Sequence, residues 1–486
     1  MRRASLIATL SELPSPAGAE LSAFPASVEW LEVRADLLGD LDPEWLRSHF
    51  AGRLLYTLRT YDAPDRLQRL KAAAPLYDRI ELEASRDLSE ELLQQVPPEK
   101  RLMSWYGNVT ELSDLKDRFE QLSSVPASLY KLVNTASTIS EEFLPLFLLQ
   151  SLKRTDTIAY STGSLGFWNR LLALQLGAPG IFARAGRDSV ADMEPSITKL
   201  IADYGLPELA PAKEIFAIIG NPIFHSLSPR LHNASYRSMD HPALFVPLRV
   251  ESFADFWNEF VLSRKLDSLG MPINGMTVAS PHKEAALQMA KTVSETARQT
   301  EAANILVRNN GWWNADTTDP DVIYTASRDR SVSVKEKRAA VIGCGGAGRA
   351  IAAALLQSGA GVTLINRGAE RGEHAAALLG LPYIPLRDFD AESFDIVVNA
   401  TPVGRDTDEA PFNVEQLNED AVVIDLVYGS KATPLVDATR ARRQIAIDGR
   451  DVLVTQVRHQ FRMMTGKEMS VALAHEVLGR RTAAGG

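Results

Sequence analysis

This sequence has little cysteine, no excess of positive charge and no long apolar run. Its 486 residues include one cysteine, Cys344, which excludes an internal disulfide and favours a reducing compartment. The formal net charge of −9 disfavours a nucleic-acid partner, which would need a basic surface. No stretch reaches the roughly 18 apolar residues of a membrane span, and the run after Arg3 is too short for a signal peptide. We therefore expect a cytoplasmic protein that acts on small molecules, with no metal site and neither nucleic acid nor a membrane as partner.

A glycine-rich turn between two apolar runs predicts a dinucleotide-binding unit. The first run ends in Gly343-Cys-Gly-Gly-Ala-Gly348, an Ala/Leu helical pattern follows, and Val362–Ile365 forms the second run. This is the order of a Rossmann fingerprint, whose glycines let the backbone approach a pyrophosphate at a helix N-terminus. The alternative is a tight strand–helix turn that binds nothing. The candidate cofactor residues of this turn are Gly343, Gly345, Gly346, Ala347 and Gly348.

The end of the second run indicates which dinucleotide is bound. An acidic residue there would bind the ribose hydroxyl of NAD, whereas arginine accommodates the 2′-phosphate of NADP. The chain has Asn366 and Arg367 at this point and Arg371 four residues on, with no carboxylate at the strand end. The pattern predicts NADP, although either arginine alone could be a solvated surface charge.

Residues 1–206 alternate short apolar runs with amphipathic segments. Eight such units in succession predict a (β/α)8 barrel, whose active residues lie at the C-terminal ends of the strands. Glu32 and Arg34 lie on one face of the second run, and Arg59 ends the third. Lys131 lies inside an apolar run, where burial would favour a neutral amine suited to nucleophilic chemistry. The alternative is a lysine that reaches out to the barrel mouth.

Four motifs of this region resemble type I 3-dehydroquinate dehydratases. They are LEVRAD around Glu32 and Arg34, YTLRT around Arg59, YKLVNTAST around Lys131, and STGSLGFWNR ending at Arg170. The resemblance implies that Lys131 forms a Schiff base with a ketone substrate. It also implies that Glu32, Arg34, Arg59 and a late-loop serine, Ser189, contact the substrate, and that Arg170 holds its carboxylate.

The barrel departs from that family at its proton-transfer residue. The family has a histidine in a Ser-x-His pattern, whereas this chain has Tyr106 after Ser104. The late loop ends on Met193 where the family has a lid glutamine, and Ala63-Pro64-Asp65 replaces Glu-Gly-Gly. A phenol with a reference pKa of about 10 is a poor base near neutrality, so slow or absent dehydration is expected. A barrel that only binds a ligand or acts as a scaffold is the alternative.

A second set of motifs follows a proline-containing linker at 207–213. Ser226 and Ser228 lie in a loop bounded by prolines, where their hydroxyls can contact a polyhydroxy acid or Ser228 can cap a helix. The motifs GNPIFHSLSP, SPHKEAAL, NATPVG, DLVYG and DGRDVLVTQ occur in the order found in shikimate dehydrogenases, and this part of the chain resembles that family. The alternatives are a quinate dehydrogenase and, for the whole chain, a ligand-sensing regulator.

The resemblance implies a role for each matching residue. Lys283 and Asp319 would be the catalytic pair, and Ser226 and Ser228 would bind the substrate carboxylate. Residues that would hold the ring hydroxyls are Asn304, Tyr428 and Gln456. Residues that would line the nicotinamide side are Thr401, Val403, Leu426 and Gly449. Ala279 and Thr317 depart from the family pattern, so substrate contacts are altered while the catalytic pair is kept.

The predicted fold class is therefore α/β, with a (β/α)8 barrel followed by a two-lobed dehydrogenase. We expect the barrel at 1–206, a substrate-binding domain at 214–322, an NADP-binding Rossmann domain at 323–450 and C-terminal helices at 451–486. The expected function is NADP-dependent reduction of 3-dehydroshikimate, fused to a dehydratase-type Schiff-base domain.

Overall fold

The computed structural model describes residues 2–13, 17–59, 62, 64–186, 193–325, 332–429 and 431–479, which form two compact units. The first unit comprises Met1–Ala217 and Pro222–Ile273, and the second comprises Ile218–Asn221 and Asn274–Gly486. The five segments into which the sequence divides the chain, at 1–206, 207–213, 214–322, 323–450 and 451–486, stay a prediction.

Eight parallel strands form a near-closed barrel in the first unit. They are β1 (Ser5–Leu10), β2 (Val28–Arg34), β3 (Arg53–Thr57), β4 (Arg79–Glu83), β5 (Arg101–Gly107), β6 (Leu129–Thr135), β7 (Thr157–Thr162) and β8 (Gly180–Arg184). Neighbours pair in the order β7-β6-β5-β4-β3-β2-β1-β8. Most residues of these strands are buried, as in parallel sheets that helices cover. The predicted barrel is confirmed.

Nine helices of the described barrel residues follow or connect these strands. They are α1 (Ala17–Ser22), α2 (Ala35–Leu38), α3 (Pro43–His49), α4 (Arg66–Ala73), α5 (Glu90–Gln95), α6 (Leu112–Ser123), α7 (Leu144–Leu152), α8 (Trp168–Gln175) and α9 (Ile197–Tyr204). Helices α3, α5 and α9 begin after Asp42, Ser89 and Ser196, whose side chains accept backbone N–H bonds of the first turn. Short 3-10 helices occur at Pro98–Lys100 and Glu141–Phe143.

The segment predicted as a linker is partly a strand. Glu208–Leu209 pairs antiparallel with Arg2–Arg3, and the Ala4 amide donates to the Pro207 carbonyl. The local proline pattern missed this pairing because its partner lies some 200 residues away in the chain.

Residues 222–273 pack on the barrel within the first unit. Their elements are α10 (Ser228–Ser238), α11 (Phe253–Phe256), a π-helix (Trp257–Leu262) and α12 (Lys265–Ser268), with a strand, β10 (Ala243–Arg249). The strand before them, β9 (Glu214–Gly220), crosses the division between the units. Phe260 of the π-helix contacts the rings of Phe143 and Trp168, with centroids 5.3 and 5.1 Å apart. These aromatic side chains give the barrel and this segment a common core.

The second unit begins with a small sheet. Strands β11 (Ile273–Val278), β13 (Ile305–Asn309) and β14 (Trp312–Asp316) pair antiparallel, and the short β12 (Thr292–Val293) runs parallel to β14. The helices of this part are α13 (Lys283–Met289), α14 (Glu295–Gln299) and α15 (Asp321–Tyr324). None of the helices in the described part of the chain is both long enough and apolar enough to cross a membrane.

A six-stranded parallel sheet follows, as the glycine turn predicts. Its strands are β15 (Arg338–Ile342), β16 (Gly361–Asn366), β17 (Tyr383–Pro385), β18 (Ile396–Asn399), β19 (Val422–Asp425) and β20 (Ala446–Ile447). The order β17-β16-β15-β18-β19-β20 is that of a Rossmann fold, with its switch point between β15 and β18. The Rossmann architecture is therefore confirmed.

Helices and short turns complete the second unit. The α-helices are α16 (Gly346–Gln357), α17 (Ala369–Leu379), α18 (Pro434–Ala441), α19 (Gly449–Thr465) and α20 (Val471–Val477). Short 3-10 helices occur at Leu386–Asp388, Ala391–Ser393 and Val414–Gln416.

Candidate active sites

Lys283 and Asp319 lie in direct contact in the second unit. Lys283 is the first residue of α13, and Asp319 lies between β14 and α15. The Lys283 Nζ donates to Asp319 Oδ2 over 2.6 Å. The lysine side chain keeps 18% of its surface exposed and the aspartate 6%, so the pair is mostly shielded from water while the lysine remains accessible. The structure thus brings together the two residues that the sequence pairs as catalytic.

Two other predicted residues hold the remaining oxygen of Asp319. Oδ1 accepts from Asn304 Nδ2 over 2.9 Å and from Gln456 Nε2 over 3.1 Å. Because both oxygens of the carboxylate are engaged, Oδ2 stays directed at the lysine. Asn304 and Gln456 therefore orient the pair, in addition to the substrate contacts that the sequence predicts for them.

Sequence reasoning missed a second row of polar residues behind this pair. Gln460 Nε2 donates to Thr318 Oγ1 over 3.0 Å, and Thr277 Oγ1 donates to Gln460 Oε1 over 3.1 Å. Gln460 lies one helical turn after Gln456 on α19, and residues four apart share a helix face. That spacing was the available signal.

Ser226 and Ser228 are both buried, in the first unit. Ser228 is the first residue of α10, and its amide donates to Ser226 Oγ over 3.2 Å. The alternative in which the Ser228 side chain caps the helix is wrong, because the N-cap position belongs to Leu227. Their contribution to a substrate site stays a prediction.

The glycine turn leaves room for a ligand phosphate at the start of α16. Gly343 has φ +105°, and a Cβ on Gly348 would lie 1.7 Å from the Gly343 carbonyl oxygen. Side chains at these two positions would break the turn, whereas no atom lies within 4 Å of a Cβ built on Gly345. No side chain caps this helix N-terminus, so its amides can receive a pyrophosphate. The turn, which includes Gly346 and Ala347, therefore fits a dinucleotide.

Asn366 ties the end of β16 to that turn. Its Oδ1 accepts from the Cys344 amide over 3.2 Å, and its Nδ2 donates to the Gly368 carbonyl over 2.8 Å. Arg367 is exposed, and the Arg371 side chain is 61% exposed on α17. Both arginines follow β16, and the end of this strand is where Rossmann folds bind the ribose of the cofactor. This edge therefore fits a 2′-phosphate.

Arg349 is a buried residue of the glycine motif, and no role was predicted for it. Its guanidinium donates to the Thr300 carbonyl over 2.8 Å and to Glu284 over 2.9 Å. Glu284 follows Lys283 on α13, so Arg349 links α16, which begins at the glycine turn, to the helix that begins with Lys283. A Cβ on Gly346 would lie 3.3 Å from Lys283 Cβ, which places the two helix starts close together.

The predicted nicotinamide residues lie at the carboxyl ends of the neighbouring strands. Asn399 Oδ1 accepts from the Thr401 amide and hydroxyl, and Asn399 Nδ2 donates to Asp425 Oδ1 over 2.9 Å. The Val403 amide donates to Thr401 Oγ1 over 3.3 Å, which tightens the same loop. Burial raises the pKa of Asp425, and its hydrogen bonds only partly oppose that effect.

The last strand ends close to this loop cluster. A Cβ on Gly449 would lie 2.3 Å from the Val427 carbonyl oxygen and 2.8 Å from that of Leu426, so only glycine fits there. Tyr428 lines one cleft together with Gly449 and Arg450. The loops after β18, β19 and β20 therefore converge at the switch-point end of the sheet, where α/β sheets bind ligands.

In the barrel, Lys131 is fully buried between two carboxylates. Its Nζ donates to Glu81 Oε2 over 3.0 Å and lies 3.6 Å from Glu32 Oε1. Thr9 and Thr57 donate to the two oxygens of Glu32 over 2.6 and 3.1 Å. The lysine therefore does not reach out to the barrel mouth, and an iminium cation formed at this nitrogen would have two carboxylates beside it.

Tyr106, which takes the place of the family histidine, acts here as a hydrogen-bond donor. Its hydroxyl donates to Glu81 Oε1, and its ring lies 4.7 Å from the Arg59 guanidinium. Burial and the adjacent Glu81 raise the pKa of Tyr106 well above its usual value. Burial would also raise the pKa of Glu81, but Lys131 and Arg59 lower it to about 2. Glu81 is thus an anion that joins a neutral phenol to Lys131.

Two predicted substrate arginines are already paired with carboxylates. Arg34 makes a bidentate pair with Asp36 over 2.9 and 2.5 Å. Arg170 donates to Glu194 Oε1 over 2.6 Å and to the Phe182 carbonyl over 3.2 Å. Neither Glu81 nor Glu194 was assigned a role from the sequence. Ser189 lies outside the described residues.

Three protein-family models match parts of this chain. The model described as type I 3-dehydroquinase matches residues 15–206, and the shikimate dehydrogenase substrate binding domain matches residues 218–306. The NAD binding domain of D-isomer specific 2-hydroxyacid dehydrogenases matches residues 290–429.

Similar proteins cover either the whole chain or its second half. A chloroplastic bifunctional 3-dehydroquinate dehydratase/shikimate dehydrogenase of Arabidopsis thaliana is 26% identical over 94% of this chain and 81% of its own length. A shikimate dehydrogenase (NADP(+)) of Methanothrix thermoacetophila is 35% identical over 55% of this chain and 98% of its own. The crystal structure of a shikimate dehydrogenase from Aquifex aeolicus, 28% identical, aligns with a TM-score of 0.50 over 55% of this chain and 97% of its own.

Proposed function

This chain belongs to the shikimate dehydrogenase family, and we propose that its second half catalyses the reversible NADP-dependent reduction of 3-dehydroshikimate to shikimate. The observation that carries this proposal is the contact between Lys283 and Asp319 in a chain that covers 98% of an NADP-dependent relative. Quinate, which differs little in its polar groups, is the alternative substrate.

In this reaction the chain's own residues move a proton at the substrate oxygen. When bound, the dinucleotide exchanges a hydride with the carbon that carries this oxygen. During oxidation the hydroxyl proton passes to the Lys283–Asp319 pair, and during reduction the pair returns it. Asn304 and Gln456 keep Asp319 turned towards Lys283, so the pair needs no rearrangement before proton transfer.

A lysine substitution tests this proposal directly. In Lys283→Ala, turnover of shikimate with NADP+ should fall by about two to four orders of magnitude, the usual loss when a general acid–base group is removed. Lys337→Ala, which removes an exposed lysine of the same unit, should leave the rate unchanged. Circular dichroism should give the same spectrum for both variants. A Lys283→Ala enzyme with near wild-type turnover would refute the assignment.

For the barrel we propose imine formation between Lys131 and a carboxylated ketone of the 3-dehydroquinate type. The support is the burial of Lys131 between Glu81 and Glu32, which would stabilise the iminium charge. The alternative is a barrel that binds such a ligand without reacting. Borohydride reduction followed by peptide mass analysis distinguishes them, because only an imine leaves a covalent adduct on Lys131.

The location and partners complete the proposal. We propose that the protein acts in the cytoplasm on small molecules and requires neither nucleic acid nor a membrane. A cell fractionation that recovered the chain with membranes or with nucleic acid would contradict this.

A further inference from the structure

Glu194 forms an ion pair with Arg170, the arginine that is predicted to hold the carboxylate of a ligand. Its Oε1 lies 2.6 Å from Arg170 Nη1. Burial would raise the pKa of Glu194, but Arg170, Arg59 and Arg184 together hold it below its usual value. The side chain is therefore a carboxylate paired with Arg170 in a positively charged environment, which is what a bound carboxylate ligand would need.

Arg170 does not depend on Glu194 for its position. Its guanidinium also donates to the Phe182 carbonyl over 3.2 Å and lies 4.3 Å from the centre of the Tyr160 ring. Its side chain is only 8% exposed. If Glu194 leaves, Arg170 therefore remains directed into the barrel and ready for another carboxylate.

Glu194, in contrast, is free to leave. Its side chain is 34% exposed, so rotation into water does not displace a packed core. A ligand with a carboxylate replaces the Arg170–Glu194 ion pair by an equivalent pair between Arg170 and the ligand. A neutral ligand would leave Arg170 without an ion-pair partner if it displaced Glu194.

We propose that Glu194 is a specificity-determining residue of the barrel, a built-in carboxylate that holds Arg170 until a ligand carboxylate displaces it. This inference rests on the proposed ligand class of the barrel. Because Glu194 acts through Arg170, it is a positioning residue. A carboxylated ketone must compete with the Glu194 carboxylate for Arg170.

The experiment compares two ketones on the full chain. The variants are Glu194→Gln and, as a matched control, Glu111→Gln, which neutralises an exposed barrel glutamate without a side-chain cap bond. Each is titrated with 3-dehydroquinate and with a hydroxylated cyclohexanone that lacks the carboxylate, then reduced with borohydride. The readout is the ketone concentration that labels half of Lys131.

Glu194→Gln should lower this concentration about 10- to 100-fold for 3-dehydroquinate, the size of one hydrogen bond to a charged group. The ketone without a carboxylate should label Lys131 equally in all variants, and the double variant Arg170→Gln/Glu194→Gln should lose the gain. An equal shift for both ketones would indicate a merely structural role and would overturn the inference, as would no shift for either.

Failure of the imine chemistry is distinguishable from failure of this inference. If no variant is labelled, the proposed reaction of Lys131 is refuted. Calorimetric titration with quinate, which has the carboxylate but no ketone, then decides about Glu194. The dehydrogenase half is the same in every variant, so added heat or tighter binding in Glu194→Gln supports the inference. Identical isotherms overturn it.

Discussion

At the scale of single residues, we expect cofactor choice to depend on two exposed arginines, Arg367 and Arg371. Arg367→Ala should raise the KM for NADP+ much more than that for NAD+, because the guanidinium is expected to contact only the 2′-phosphate, which NAD+ lacks. The measurement is steady-state kinetics with shikimate and each nucleotide. Arg387→Ala, an 84% exposed arginine of the same unit, is the control and should change neither KM. Equal losses for both cofactors would contradict the assignment.

Because Tyr106 stands where the dehydratase family has histidine, we expect the barrel to dehydrate its substrate slowly or not at all. Tyr106 donates to Glu81 and has a raised pKa, so it holds its proton near neutral pH. We expect 3-dehydroquinate to be trapped on Lys131 by borohydride while its dehydration is slow or absent. Tyr106→His should raise the dehydration rate, whereas Tyr106→Phe should not.

Ultraviolet absorbance of the enone product follows this dehydration. Fast dehydration by the unmodified chain would show that another group, such as Glu81, serves as the base. The barrel would then be an active dehydratase.

At the scale of elements, α19 is the C-terminal helix that contacts the proposed catalytic pair, Lys283 and Asp319. It begins after Asp448, which accepts from two backbone amides, and it carries Gln456 and Gln460 on one face. On the same helix, His459 Nδ1 contacts Asp321 Oδ2 over 2.8 Å at the start of α15. Helix α19 is therefore fastened beside Asp319 by three side chains.

The hydrogen bond between His459 and Asp321 makes the stability of the folded protein depend on pH. The hydrogen bond to Asp321 raises the pKa of His459 above its usual value. Because the pKa of His459 is higher in the folded than in the unfolded state, protonation of this residue stabilises the fold. The stabilisation is fully present below the unfolded pKa of about 6.5 and is lost as the pH rises through the folded pKa. His459→Gln should therefore lower the Tm more at pH 5.5 than at pH 9, as measured by calorimetry. Equal changes at both pH values would contradict the ion pair.

The elements also show what the sequence can and cannot predict. Local patterns predicted the barrel strands and the turn from Gly343 to Gly348, because periodicity and glycine placement are local properties. The pairs Arg349–Glu284 and Arg170–Glu194 were not predicted, since they join side chains that are far apart in the chain or unmarked by any motif. The catalytic pair itself was predicted only through family motifs, and no spacing rule links Lys283 to Asp319.

At the scale of the whole molecule, one chain carries the proposed imine-forming lysine and a glycine turn that fits a dinucleotide. If both act, joining them raises the local concentration of the intermediate at the second site. With 3-dehydroquinate and NADPH, the rate of shikimate formation would then report the barrel, whereas with 3-dehydroshikimate it would report the dehydrogenase alone.

The most direct measurement is the initial rate of nicotinamide reduction by the purified full chain with shikimate. We expect turnover with NADP+, a much lower kcat/KM with NAD+, and loss of turnover in Asp319→Asn. This variant keeps an oxygen that accepts from Asn304 and Gln456 but removes the charge next to Lys283. A full chain that bound NADP+ but did not oxidise shikimate, or an Asp319→Asn variant as fast as the wild type, would contradict this expectation.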